Sequence, residues 1–87
     1  MSSRILIVDD EESASEYLRL ILQEEGFSVR TTANGVEALI ALETNSFDLV
    51  ISDIRMPQMD GLELLGHLQQ RWPEMPALML TANDGVG

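Results

Sequence analysis

Short runs of consecutive apolar residues alternate along the chain with longer stretches in which apolar positions recur every three or four residues. The runs are Ile5-Leu6-Ile7-Val8, the weaker Phe27-Ser28-Val29, Leu49-Val50-Ile51 and Ala77-Leu78-Met79-Leu80. Three of them are continuous, the pattern of strands buried on both faces of a parallel sheet. They predict β1 over about residues 4 to 8, β2 over about 28 to 32, β3 over about 49 to 53 and β4 over about 77 to 81. Between them, Ala14, Tyr17, Leu18, Ile21 and Leu22 form one helical stripe, which should stop at Gly26, a natural left-handed cap. Val36, Leu39 and Ile40 mark a second helix after the turn-like Asn34-Gly35. Leu62, Leu65, Leu68 and Trp72 mark a third, ending before Pro73. Strict alternation of strand and helix predicts an α/β fold, a parallel sheet with right-handed crossovers and helices on its faces.

Ligands of open α/β sheets sit beyond the carboxyl ends of the strands. At those ends stand Asp9 and Asp10 after β1, Asp53 at the end of β3 and Thr81 at the end of β4. If β1, β3 and β4 are neighbours, three carboxylates and a hydroxyl share one rim. Carboxylates held close repel one another, and a hard divalent cation relieves them. One or two carboxylates, waters and a phosphate oxygen suit Mg²⁺ better than a carboxylate-rich Ca²⁺ cage.

Composition narrows the partners. The 87 residues include fifteen Asp and Glu against five basic residues, for a net charge of −10. All five are Arg; there is no Lys and no Cys. Five scattered Arg residues make no basic patch, which argues against nucleic acid and anionic membrane surfaces as partners. Without Cys there are no disulfides, thiolate nucleophiles or Cys-type zinc sites. The length suits one small domain or a piece of one, and 45% hydrophobic residues are too many for disorder. No apolar run nears the roughly 20 residues of a spanning helix, and no signal-peptide layout is visible, so a soluble, cytoplasmic domain is expected.

Three motifs together carry a resemblance. Ile5-Leu6-Ile7-Val8-Asp9-Asp10-Glu11, then Ser52-Asp53-Ile54-Arg55-Met56-Pro57-Gln58-Met59-Asp60-Gly61, then Leu80-Thr81-Ala82 resemble, in order, spacing and strand context, the receiver domain of bacterial two-component response regulators. The resemblance covers the whole chain and implies a flavodoxin-like (CheY-like) doubly wound sheet of order 2-1-3-4. It implies phosphoryl transfer from a phosphohistidine on a sensor histidine kinase, or from a phosphotransfer protein, to Asp53. By position, Asp10 and Asp53 would bind Mg²⁺ directly, Arg55 would offer its backbone carbonyl and Asp9 would reach the ion through water. Thr81 would hydrogen-bond the phosphoryl group, Ala82 would leave it accessible, and Pro57 and Gly61 would shape the loop beside the nucleophile. The domain would be a phosphoacceptor rather than an enzyme, regulating an output module outside this chain.

Plainer readings exist for the same residues. Asp9, Asp10, Glu11 and Glu12 could cap the first helix. Asp60-Gly61 reads as a turn and helix start, His67 as a surface residue, and Trp72 and the methionines as packing. A dehalogenase-type phosphohydrolase would need a second Asp two residues after the nucleophile, where Arg55 stands. The resemblance also implies a further helix, strand and helix, so residues 1 to 87 read as the N-terminal part of one receiver domain. The lysine that contacts the phosphoryl group in the family has no counterpart here. The apolar β4 would then be an open edge inviting self-association or segment exchange. The alternative function is a truncated or pseudo-receiver serving only as a dimerisation or interaction module.

Overall fold

A computed structural model describes residues 3–56 and 59–80 of the chain. It contains β1 (Arg4–Val8), α1 (Glu12–Glu24), β2 (Ser28–Thr32), α2 (Gly35–Thr44), β3 (Leu49–Asp53), α3 (Gly61–Arg71) and β4 (Ala77–Leu80). The strands form one parallel sheet in the order β2-β1-β3-β4, as the resemblance implies. Thr81, the expected last residue of β4, lies outside the described residues.

The central strands are apolar on both faces because both are covered. On one face Leu6, Val8 and Val50 pack with Ala38, Ala41 and Leu42 of α2 and Leu64 and Leu68 of α3. On the other, Ile5, Ile7 and Ile51 meet Leu18 and Leu22 of α1. Edge strand β2 is mostly exposed and carries Ser, Arg and Thr, side chains that water tolerates.

Local chemistry explains where the helices start and stop. After α1, the Gly26 N–H donates to Gln23 O (3.0 Å) and the Phe27 N–H to Leu22 O (3.1 Å), with Gly26 at φ 97°. This is a Schellman ending, which favours glycine at the left-handed position. Asn34 caps α2 by accepting from the Glu37 N–H (2.9 Å), and Glu37 reaches back to accept from the Ala33 N–H (3.0 Å). Asp60 caps α3 by accepting from the Glu63 N–H (2.8 Å), so Asp60-Gly61 is indeed a helix start.

The helix faces differ from those the pattern predicts. In α2 the buried residues are Gly35, Ala38, Ala41 and Leu42, whereas Val36 and Ile40 are exposed. In α3, Leu64 and Leu68 are buried and Leu62 is exposed. Small residues let α2 approach the sheet closely, so side-chain size alone misassigns its inner face. In α1, Leu18 and Leu22 pack inward, but Tyr17 is 68% and Ile21 42% exposed.

Gly66 is an exposed position inside α3, and a Cβ there would meet nothing within 4 Å. Gly66→Ala should therefore stabilise the fold by about 0.5–1 kcal/mol. Leu68→Ala, at a site 1% exposed, should cost about 2–5 kcal/mol. Urea titrations of the two variants check the contrast.

Candidate functional site

The parallel register places Val8 beside Ser52, so the residues that follow them emerge together at the carboxyl rim of the sheet. The Asp9 N–H still donates to Thr32 O (3.1 Å), continuing the β1-β2 ladder by one residue. Asp9, Asp10 and Asp53 each turn a carboxylate oxygen into one cluster, all within 4.8 Å of one another. Asp9 and Asp53 are half-buried and Asp10 is exposed.

Each loop holds its own carboxylate. Asp9 Oδ1 accepts from the Glu11 N–H at 2.9 Å, an Asx-turn that steers the chain into α1. The helix itself has Glu11 at its N-cap with no side-chain cap bond, so α1 is left without the side-chain cap that the plainer reading of this acidic stretch supplies. Asp53 Oδ1 accepts from the Arg55 N–H at 3.3 Å. Ser52, fully buried, donates its hydroxyl to the Asp53 carbonyl at 2.9 Å. Ser52 has no role assigned from the sequence alone; its signal there is a small polar residue between the Leu49-Val50-Ile51 run and Asp53.

The loop after β3 returns tightly to α3. The Ile54 N–H donates to Leu80 O (3.1 Å), and the Gly61 N–H donates to Ile54 O (2.7 Å). A Cβ on Gly61 would lie 2.3 Å from the Asp53 carbonyl oxygen and 2.7 Å from Ile54 Cα, so only glycine fits there. Arg55 sits exposed on this loop and lines, with Asp10, Ile54, Met56 and Asp60, a shallow depression of about 470 Å³. Thr81, Ala82 and Pro57 lie outside the described residues.

A larger groove of about 990 Å³ opens at the opposite end of the strands, between the loops that precede β3 and β4. Its acidic groups do not converge: Glu43 pairs with Arg71 at 2.7 Å, and Asp48 accepts from the Arg4 N–H at 2.7 Å. Among the described residues, the carboxylate cluster is the group able to hold a metal ion.

The family model for the response regulator receiver domain matches residues 5–86. The chain belongs to the response regulator receiver family. Receivers of this family are signalling domains. The chain is 43% identical over 86 residues to the response regulator MprA of Mycobacterium sp. (strain KMS), covering 99% of the chain and 37% of that protein. It is 43% identical over 84 residues to the alkaline phosphatase synthesis transcriptional regulatory protein PhoP of Bacillus subtilis (strain 168), covering 97% of the chain and 35% of that protein. It thus spans about a third of the length of these curated relatives. Among solved structures, the response regulator TrrA of Thermotoga maritima, in complex with Mg²⁺-BeF, matches with a TM-score of 0.90 and 43% identity, over 97% of this chain and 72% of that one. Among the described residues, no helix of this receiver is long and apolar enough to cross a membrane.

Crowding leaves a mark on Asp9. Burial raises its pKa above the ordinary Asp value, and the Asp53, Asp10 and Glu11 charges add to the rise, while the Glu11 N–H opposes it. The folded state therefore binds this proton more readily than the unfolded chain, and stability falls as pH rises through the shifted value. In metal-free buffer, Asp9→Asn, which keeps an oxygen for the Glu11 N–H, should raise the Tm at pH 7. The gain should vanish below about pH 3.9, where Asp9 is protonated in both states. Thermal scans of the two proteins against pH check this.

Proposed function

We propose that this receiver accepts a phosphoryl group on Asp53 in a Mg²⁺-dependent reaction and passes the signal to an output module outside the chain. The observation that carries the reading is the convergence of Asp9, Asp10 and Asp53 into one cluster, in a chain that the receiver family's model matches over residues 5–86. A carboxylate cluster of this kind, with Asp10 lining an open depression, suits a hard cation with remaining water sites. Asp10 and Asp53 would hold it directly, Arg55 through its backbone carbonyl and Asp9 through water. An ion held by these groups would supply positive charge to offset the negative charge of the phosphoryl oxygens against the carboxylates.

Asp53 is the nucleophile: its carboxylate oxygen attacks phosphorus as the bond to the donor's histidine nitrogen breaks; that nitrogen keeps the electron pair, and with a proton already on the other ring nitrogen the products are an acyl phosphate and neutral imidazole. The donor is a sensor histidine kinase or a phosphotransfer protein, whose ATP-derived phosphoryl group places the reaction in the cytoplasm. Thr81 hydrogen-bonds a phosphoryl oxygen, Ala82 keeps the approach open, and Pro57 and Gly61 shape the loop. The transcriptional role named for PhoP supports transcription control as the output.

Two measurements test this. Mg²⁺ should raise the Tm of the wild-type chain by mass action and leave Asp10→Asn unmoved. Acetyl phosphate with Mg²⁺ should add one phosphoryl group, slowly, and none to Asp53→Asn. Undiminished labelling of Asp53→Asn overturns the assignment.

A second reading concerns the sheet edge. Among the described residues, β4 pairs with β3 alone, and Leu78 is 52% and Leu80 36% exposed. An apolar edge of this kind recruits another strand, and the 87-residue chain accordingly self-associates through it, by pairing or segment exchange. Sedimentation velocity should show a dimer or larger species that Leu78→Lys dissociates; a monomer at high concentration refutes it.

A further inference from the structure

We propose that Gly35, the first residue of α2, is a positioning residue for Asp53, acting as the seat on which Met59 rests. A Cβ at residue 35 would lie 2.7 Å from Met59 Sδ, 2.9 Å from Met59 Cβ and 2.9 Å from Met59 Cγ. The sulfur could swing aside. The Cβ cannot, because moving it moves the backbone of residue 59. That backbone leads to Gly61, whose own missing side chain lets it lie against the Asp53 carbonyl and Ile54 Cα. Contact thus runs from Gly35 to Met59, along the chain to Gly61, and from there to Asp53.

The glycine is required for space rather than for conformation. Among the described glycines Gly26 alone has a positive φ, so the backbone at Gly35 is one that alanine adopts readily. In a helix alanine is favoured over glycine by about 1 kcal/mol, and the three nearest atoms that oppose it here all belong to Met59. Nor can α2 easily yield. Gly35 is buried, the first turn is locked by Asn34 accepting from the Glu37 N–H and Glu37 accepting from the Ala33 N–H, and Ala38 and Ala41 are packed in the core. Gly66, with nothing around it, is the matched control.

The inference rests on the reading of Asp53 and Asp10 as the phosphoacceptor and a metal ligand, and the test separates the two. Gly35→Ala, Met59→Gly, the double variant, Gly66→Ala and Asp10→Asn are compared in the 87-residue chain. The readouts are Mg²⁺ affinity by calorimetry, acetyl-phosphate labelling rate, and hydrogen exchange of the Gly61 amide without metal. Since a displacement near 1 Å can cost on the order of 100-fold in rate, Gly35→Ala should slow labelling at least about 10-fold, weaken Mg²⁺ binding and speed Gly61 exchange. Adding Met59→Gly should return all three to the level of Met59→Gly alone, and Gly66→Ala should match wild type.

Wild-type behaviour of Gly35→Ala overturns the proposal, as does a loss that Met59→Gly fails to relieve. Should Gly35→Ala not fold, Met59→Gly alone decides: faster Gly61 exchange than wild type supports the seat, and equal exchange refutes it. Mg²⁺ affinity unaffected by Asp10→Asn overturns the metal reading instead, and the metal-free exchange of Gly61 still decides the seat.

Discussion

Because β1 and β3 run parallel with Val8 beside Ser52, the two strands reach the rim together and hand their next residues, Asp9 and Asp53, to the same small volume. No side-chain interaction need draw the acids together; the hydrogen-bonded register of two buried strands does so against their repulsion. At an effective dielectric near 20, two unit charges at this spacing repel by roughly 3 kcal/mol, and solvent at the exposed Asp10 lowers its share. The apolar contacts of Ile5, Leu6, Ile7, Val8, Val50 and Ile51 hold the register. Burial raises the Asp9 pKa most, and the neighbouring Asp53 and Asp10 charges that this register brings close add to the rise.

What the sheet fixes coarsely, the loops refine with hydrogen bonds and missing side chains. Asp9 and Asp53 each accept a backbone N–H two residues on, which orients the carboxylate and turns the chain. Asp60 starts α3 immediately before Gly61, so the helix is capped within one residue of the backbone it presses against Asp53. Such a loop has little slack: both its Gly61 end and its Met59 side chain meet surfaces with no room for another carbon.

The strands were legible because β1, β3 and β4 are continuous apolar runs bounded by polar residues, and the site because its acids directly follow those runs. Helix faces were less so. Val36, Ile40 and Leu62 are large and apolar yet point to solvent, while Ala38 and Ala41 fill the interface, since closeness of approach rather than hydrophobicity selects the inner face of α2. Asn34-Gly35 looked like a turn because that dipeptide usually is one. Its actual constraint comes from Met59, distant in sequence, and no local pattern can show it.

The two sheet faces are unequal, and the difference bears on what the chain can touch. Among the described residues, one face is covered by α2 and α3 together and the other by α1, and Leu78 and Leu80 of β4 are exposed. The β2 edge, with Arg30 and Thr31 exposed, has little to gain from a neighbour, whereas the β4 edge gains both hydrogen bonds and apolar burial. Against that gain stands a net charge of −10 on each copy, which opposes the approach of two like molecules. Salt shortens the reach of that repulsion to about 8 Å at physiological strength and leaves the apolar contact intact. The proposed edge pairing between copies would therefore strengthen as salt rises, the reverse of an association held by ion pairs.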